Sequence, residues 1–236
     1  MWQEKTLAVV LPTYNEAASI ADCIRAFHEL GIVDDIVVVN NNAHPDTSAA
    51  VAGTVAREVL EPTQGYGAAI RRGLADTATA DLVCICEPDA TFDPRDLLKL
   101  LPFTEDVDLV LGSRTVQAFI FSGANMGLFL KWGNWAVAKL TEAMFNTVYL
   151  SDVGCTFRVI SREGIDRVSP RFRSNGSSFG FEMMLHAAHL RVPFVQVPVK
   201  YLPRVGESSV TGSRLKSVRL GLRMIALCIR ERFTRK

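Results

Sequence analysis

TLAVVLPTYNE (6–16) and DIVVVN (35–40) decide the fold. Each contains an apolar run of strand length, and the stretch between them carries apolar residues at helical spacing over 16–30. Strand, helix and strand in that order form a βαβ unit, and runs this continuous belong to strands buried on both faces of a parallel sheet. The theme repeats outward. A third apolar segment lies near 58–60, a glycine-started helix covers about 67–77, and DLVCICE (81–87) is another strand. Asp93 and Pro94 form a cap and first-turn pair for a helix that leads to the strand DLVLGS (108–113).

Beyond Arg114, residues 118–150 are rich in Phe, Met, Trp and Leu and read as one or two helices. CTFRVIS (155–161) reads as a strand, 179–190 as a helix, and PFVQVPVKY (193–201) as a strand whose prolines put it at a sheet edge. The expected fold is a single α/β domain. It has an open, mostly parallel sheet, helices on both faces, and a ligand site beyond the carboxyl ends of the strands. This domain spans 1–211, and a basic helix follows over 212–236.

Bulk properties exclude several classes. The 236 residues, 48% apolar and 22% charged, can bury one large core and do not describe a disordered chain. Five cysteines, an odd number without zinc-site spacing, argue against a disulfide framework or metal cluster and fit a reducing, cytosolic compartment. Cys84 and Cys86 fall two apart in a strand and share one buried face. The N-terminal run is too short for a signal-peptide core, and no stretch reaches the ~18 apolar residues of a membrane span. The net charge of +1 conceals an asymmetry, since 204–236 holds nine Lys or Arg against two Asp or Glu.

Polar groups gather at the strand ends. Pro12-Thr13-Tyr14-Asn15-Glu16 follows the first strand, where Asn15 and Glu16 fit either a nucleotide pocket or the start of the next helix. Asn40-Asn41-Asn42 ends the second, with amides able to read a base or ribose or to serve a local turn. Gln64-Gly65-Tyr66-Gly67 opens a helix whose amides could cradle phosphate, although the full dinucleotide and P-loop fingerprints are missing. Glu87-Pro88-Asp89 ends the 81–87 strand. Two carboxylates there are costly unless solvated, paired or bound to a cation, and their hard oxygens suit Mg²⁺ or Mn²⁺. Asp93 belongs to the helix cap.

These pieces, in this order, resemble the family 2 glycosyltransferases of GT-A fold, and among them the polyprenyl-phosphate sugar transferases such as dolichyl-phosphate mannose synthase. The resemblance covers nearly the whole chain. It rests on LPTYNE (11–16), VVVNNN with DTS (37–48), GYGAAIRRGL (65–74), EPDATFDP (87–94), LGSR (111–114), DVGCTFR (152–158), FGFEMMLHA (179–187) and PRVGESS (203–209). It implies that Pro12, Tyr14 and Glu16 line the nucleotide pocket, Asn40 meets base or ribose, and Glu87, Pro88 and Asp89 meet the nucleotide sugar, with Glu87 and Asp89 as metal ligands. Arg114 and Arg204 would face phosphates, and Lys131 would join Arg114 on the acceptor phosphate. Asp152 resembles the catalytic carboxylate; its residue-level alternative is a cap or an ion pair to Arg158. The sequence departs from the family at Asn40 and Glu87, where aspartates are usual, and at Thr91 and Ser209, where many relatives carry Gln and Lys.

The resemblance further implies an inverting, metal-dependent transfer of a hexose from a donor of GDP-mannose or UDP-glucose type to a polyprenyl phosphate. The expected location is the cytoplasmic membrane face, with a membrane-spanning partner subunit as a candidate partner. A hydroxyl acceptor, or a silent sugar-nucleotide-binding subunit, is the alternative. Two stretches bear on the membrane. Residues 118–135, with Met126, Leu128, Phe129, Trp132 and Trp135, are apolar nearly all round and lie either against the body or in an interface. The helix over 213–233 sets Leu215, Val218, Leu222, Ile225 and Ile229 beside Lys216, Arg219, Arg223 and Arg230, as a membrane-surface helix or a packed one with a basic rim does. No recognition module accompanies that charge, so no nucleic acid partner is expected.

Overall fold

The structure, a computed structural model, describes residues 1–124, 127–206 and 214–234. Met126, Ser209, Ser213 and the boundary drawn at 211/212 lie outside the described residues, as do the side chains of Leu128, Phe129, Leu215 and Lys216. The chain forms β1 (Leu7–Thr13), α1 (Ile20–His28), β2 (Asp35–Asn40), α2 (Pro45–Ala52), β3 (Arg57–Leu60), α3 (Tyr66–Asp76) and β4 (Leu82–Ile85). There follow α4 (Leu97–Leu100), β5 (Leu109–Ser113), α5 (Leu128–Phe145), β6 (Arg158–Ser161), α6 (Arg162–Val168), α7 (Phe179–His189), β7 (Phe194–Pro198) and α8 (Arg214–Phe233).

The seven strands form one sheet in the order β3-β2-β1-β4-β6-β5-β7. All neighbours pair in parallel except β6, which runs antiparallel to both β4 and β5. The sheet is thus mostly parallel, and the proline-bearing β7 lies at its edge as expected. Alternation along β1 shows why the strands read as unbroken apolar runs. Leu7, Val9 and Leu11 enter the core under α1, α2 and α4, whereas Ala8 and Val10 enter the opposite core, under α3 and α5 to α8. Both faces are covered, so both sets of side chains must be apolar. Cys84 and Cys86 share the first of these cores.

Several local expectations change. The helix expected from residue 16 begins at Ile20, because the Glu16 carboxylate turns back to accept from the Tyr14 and Asn15 amides and the Thr13 hydroxyl. Asn15 is therefore not its cap. The helix expected after Asp93 breaks into a 3₁₀ turn, the single turn α4, and a second 3₁₀ turn holding Pro102, which has no amide to donate. Asp93 caps it as expected, accepting from Arg95 N at 3.0 Å. Helices α2 and α6 were not expected at all.

The N-terminus of α3 is already filled. Gly67 N and Ala68 N both donate to the Asn175 carbonyl, at 2.8 and 3.2 Å, so these amides do not cradle phosphate. Glycine is required there, since a Cβ at position 67 would lie 2.4 Å from the Ser174 carbonyl oxygen and 2.7 Å from Phe179 Cβ. We expect Gly67→Ala to destabilise the protein by about 1–3 kcal/mol through this overpacking, measured as a lowered urea midpoint. An unchanged midpoint would mean that the 174–175 backbone yields freely.

Candidate active site

β4 delivers its chain into a buried turn at 86–91. Ala90 has a positive φ of 65°, which reverses the chain directly after Asp89. Asp89 is 1% exposed; its Oδ1 accepts from Thr91 N at 2.9 Å and from the Thr91 hydroxyl. Ser19 Oγ donates to the Pro88 carbonyl at 2.6 Å, tying the start of α1 to the same turn. From the other side Val205 N donates to Asp89 O and Leu202 N to Thr91 O, at 3.0 and 2.9 Å. Thr91 thus orients Asp89.

Arg204 closes the cluster. Its Nη1 lies 3.0 Å from Asp89 Oδ2 and 3.9 Å from Glu87 Oε2, and its Nη2 lies 3.6 Å from Glu16 Oε1. Asp89 Oδ2 is nonetheless buried without a well-formed hydrogen bond. Burial, then the neighbouring Asp89 charge, pushes the Glu87 carboxyl well above the usual carboxylate range, while Arg204 acts in the opposite sense. Among the described residues, one guanidinium faces the carboxyl groups of Glu16, Glu87 and Asp89 in this corner. Those features fit a hard divalent cation held by Glu87 and Asp89. Among the described residues no group of three or more His, Cys, Asp or Glu is arranged for a metal, so such an ion would draw its remaining ligands from substrate oxygens and water.

A cavity of about 450 Å³ extends from this corner. Glu87, Arg204, Tyr66, Arg158, Arg114 and Tyr201 are among the residues that line it. Two donors here are buried and unpartnered, the Tyr66 hydroxyl and Arg158 Nε. The remaining wall is largely apolar, with Leu130 and Val137 from α5 and Val218, Leu222 and Ile225 from α8. Next to it, Trp132 and Leu222 are each 63% exposed, and Trp132 packs edge-on to Trp135.

Arg114 and Asp152 form a bidentate pair, with Nε to Oδ2 at 2.8 Å and Nη2 to Oδ1 at 2.9 Å. The Arg114 and Gly154 amides also donate to this carboxylate, at 3.0 and 2.9 Å. Burial alone would raise the Asp152 carboxyl, but the guanidinium and these amides outweigh it and hold it below its ordinary range. Four donors occupy the sites a carboxylate offers. Asp152 therefore pairs with Arg114, not Arg158, and works as an anchor that aims the guanidinium. Arg158 is 2% exposed and spends its Nη atoms on the Gly180 and Cys155 carbonyls.

The other residues singled out by sequence divide into two groups. Glu16, Glu87, Pro88, Asp89 and Arg204 come together as one cluster, joined through the cavity to Arg114. Pro12 is buried in β1, and Tyr14 stands exposed at its end. Asn40 is turned inward: its amide donates to Ser48 Oγ and Glu58 Oε1 and accepts from Ala43 N, so both of its donors are spent inside the protein. Lys131 reaches Gln117 Oε1 at 3.2 Å and is absent from the cavity wall, where its neighbour Leu130 and Asn134 appear instead. Tyr66 and Arg158 were missed as site residues. Tyr66 lies within the GYG run, but only the glycines attracted a reading, and Arg158 drew attention only as a partner for Asp152.

A 212-residue match at 29% identity links the chain to the low-salt glycan biosynthesis hexosyltransferase Agl6 of Haloferax volcanii, covering 87% of this chain and 50% of that protein. The chain thus spans about half the length of that relative. An undecaprenyl-phosphate mannosyltransferase of Micrococcus luteus is 27% identical, with 86% of each chain covered. Glucosyl-3-phosphoglycerate synthase of Mycobacterium tuberculosis, solved with Mn²⁺, UDP-glucose and phosphoglyceric acid, shares the fold with a TM-score of 0.76 at 20% identity, over 99% of this chain and 82% of that one. The model of the family described as glycosyl transferase family 2 matches residues 8–168. With most of the sheet and the whole carboxylate turn inside that match, the chain belongs to glycosyl transferase family 2.

Proposed function

We propose that the protein moves a hexose from a nucleoside diphosphate sugar to a polyprenyl phosphate, with inversion and with Mg²⁺ or Mn²⁺ at Glu87 and Asp89. One observation carries this reading. A single cavity is lined by Glu87 and Arg204 of the carboxylate corner, by Arg114, and by apolar side chains of α5 and α8. A donor diphosphate suits the charged corner. An amphiphile with an anionic head at Arg114 and a hydrocarbon tail against the apolar wall suits the rest. The relation to a polyprenyl-phosphate mannosyltransferase supports the same acceptor.

Glu87 and Asp89 would hold the divalent cation, which would supply the positive charge that stabilises a departing nucleoside diphosphate. The chain's own residues supply position. Arg204 is within reach of diphosphate oxygens, and Arg114, clamped by Asp152, presents a fixed fork to the acceptor phosphate. The Tyr66 hydroxyl and Arg158 Nε are donors awaiting oxygen acceptors, as sugar hydroxyls or phosphate would provide. A phosphate acceptor is largely ionised at neutral pH, its second pKa being about 6, and needs no strong base. That matches an Asp152 whose lone pairs are already occupied.

A hydroxyl acceptor is the second reading, favoured by the fold shared with a synthase crystallised with phosphoglyceric acid. The departures at Glu87, Thr91 and Ser209 also keep in view a silent subunit that binds sugar nucleotides. Membrane contact is part of the main reading. Among the described residues no helix is long and apolar enough to cross a membrane. The exposed Trp132, Trp135, Leu222, Ile229 and Phe233, with Arg219, Arg223 and Arg230 nearby on α8, suit docking at an anionic surface, alone or beside a membrane-spanning partner.

The decisive assay incubates purified protein with Mn²⁺ or Mg²⁺, radiolabelled GDP- and UDP-sugars, and undecaprenyl or dolichyl phosphate, followed by organic extraction. Label should enter the organic phase from one donor and fall at least about 100-fold in Asp89→Ala. Bound donor without extractable label, also when membranes are added back, would count against the lipid acceptor and for the hydroxyl-acceptor or silent-subunit reading. Asp152→Asn should keep measurable transfer, with its loss of about 10-fold appearing mainly as a raised acceptor KM; abolition of kcat would instead identify a base and a hydroxyl acceptor. Tyr66→Phe should lower kcat/KM about 5- to 10-fold at unchanged thermal stability, because its hydroxyl has no partner in the protein to lose.

A further inference from the structure

The carboxylates of Glu16, Glu87 and Asp89 arrive from the ends of two strands, and Arg204 is the cation they share. Its backbone is fixed from both sides, since Leu202 N and Val205 N donate to the Thr91 and Asp89 carbonyls. The guanidinium is therefore delivered by a tethered strap rather than by a wandering surface side chain. Its contact with Asp89 Oδ2 is one of charge more than of directed bonding, because that oxygen has no well-formed hydrogen bond despite lying 3.0 Å from Nη1. A contact of this kind satisfies the carboxylate's charge but not its lone pairs.

We propose that Arg204 is a stand-in cation: it occupies the Glu87–Asp89 pair while nucleotide is absent, keeps a free divalent ion out, and transfers to the donor's diphosphate when metal and diphosphate arrive together. This rests on the reading of the site as a sugar-nucleotide site. A divalent ion entering alone meets a guanidinium already beside its ligands, and like charges repel strongly where solvent screening is weak. Arriving with a diphosphate, the same ion brings new acceptors for the planar guanidinium fork. The carboxylates pass to the metal and the guanidinium to the phosphates, so no charge is left without a partner. Only the side chain has to turn; the two strap hydrogen bonds persist. Metal and nucleotide affinities become coupled, each raising the other by the same factor.

The test is Mn²⁺ binding to the purified protein, read by electron paramagnetic resonance and calorimetry, first alone and then with UDP or GDP. Wild type should bind Mn²⁺ at least about 10-fold more tightly with the nucleotide than without it. Arg204→Gln should bind Mn²⁺ alone at least about 10-fold more tightly than wild type and show much weaker coupling, whereas Arg204→Lys should stay close to wild type. The double variant Arg204→Gln with Asp89→Asn should lose the gain, which ties it to this corner. Mn²⁺ binding to Arg204→Gln no tighter than to wild type, or no binding to either, overturns the proposal. Absence of sugar transfer with the coupling intact would instead overturn the transferase reading and leave the exchange standing.

Discussion

A guanidinium held among three carboxylates at the end of a buried strand is the contact on which the rest of the site depends. Asp89 is almost wholly inside the protein, and Glu87 is pushed toward its neutral form by burial and by its neighbour. Such a corner is stable only if a cation stands in it. Arg204 fills that need, and the backbone bonds of Leu202 and Val205 on its flanks lay residues 202–205 across the carboxylate turn. Residues more than a hundred positions apart in sequence are brought together by that charge requirement. The cavity wall supplied by α8 lies just beyond the same strap.

The second organising feature is the reversed strand. β6 enters the sheet antiparallel between β4 and β5, so its first residue, Arg158, and the segment before it, carrying Asp152 and Gly154, reach the carboxyl ends of the parallel strands from the opposite direction. That reversal lets Asp152 meet Arg114 from β5 and lets Arg158 stand beside Tyr66 from α3 in one cavity. Glycines make room for the crowding. A Cβ at Gly154 would lie 2.8 Å from an Arg114 nitrogen, and one at Gly180 would lie 2.8 Å from an Arg158 nitrogen. One buried and one half-buried arginine are therefore accommodated by backbone without side chains.

Much of the architecture was legible because the signals are local. Apolar runs mark strands buried on both faces, and β1, β2, β4 and β5 fell within a residue or two of their reading. The elements that escaped lack such periodicity. α2 is short and small-sided, α6 follows β6 without a loop, and the 94–105 stretch is helical only in fragments because Pro102 interrupts it. The start of α1 was misjudged because Glu16 bonds backward to its own turn, a choice that apolar spacing does not record.

By itself the sequence determined the sheet, the two cores, the edge position of β7 and the gathering of acidic and amide groups at the strand ends, since strand burial and chain reversal follow from residue type over a few positions. Only the tertiary structure decided which of those groups face one another. Asp152 pairs with Arg114 rather than with the Arg158 six residues on, Asn40 turns inward to Ser48 and Glu58, and Asn175 fills the amides of α3 that seemed open to phosphate. The reason is physical. Burying a charge or an amide is tolerable only with a partner at hydrogen-bond distance, and that partner is chosen by packing among segments distant along the chain, which no local pattern of residues encodes.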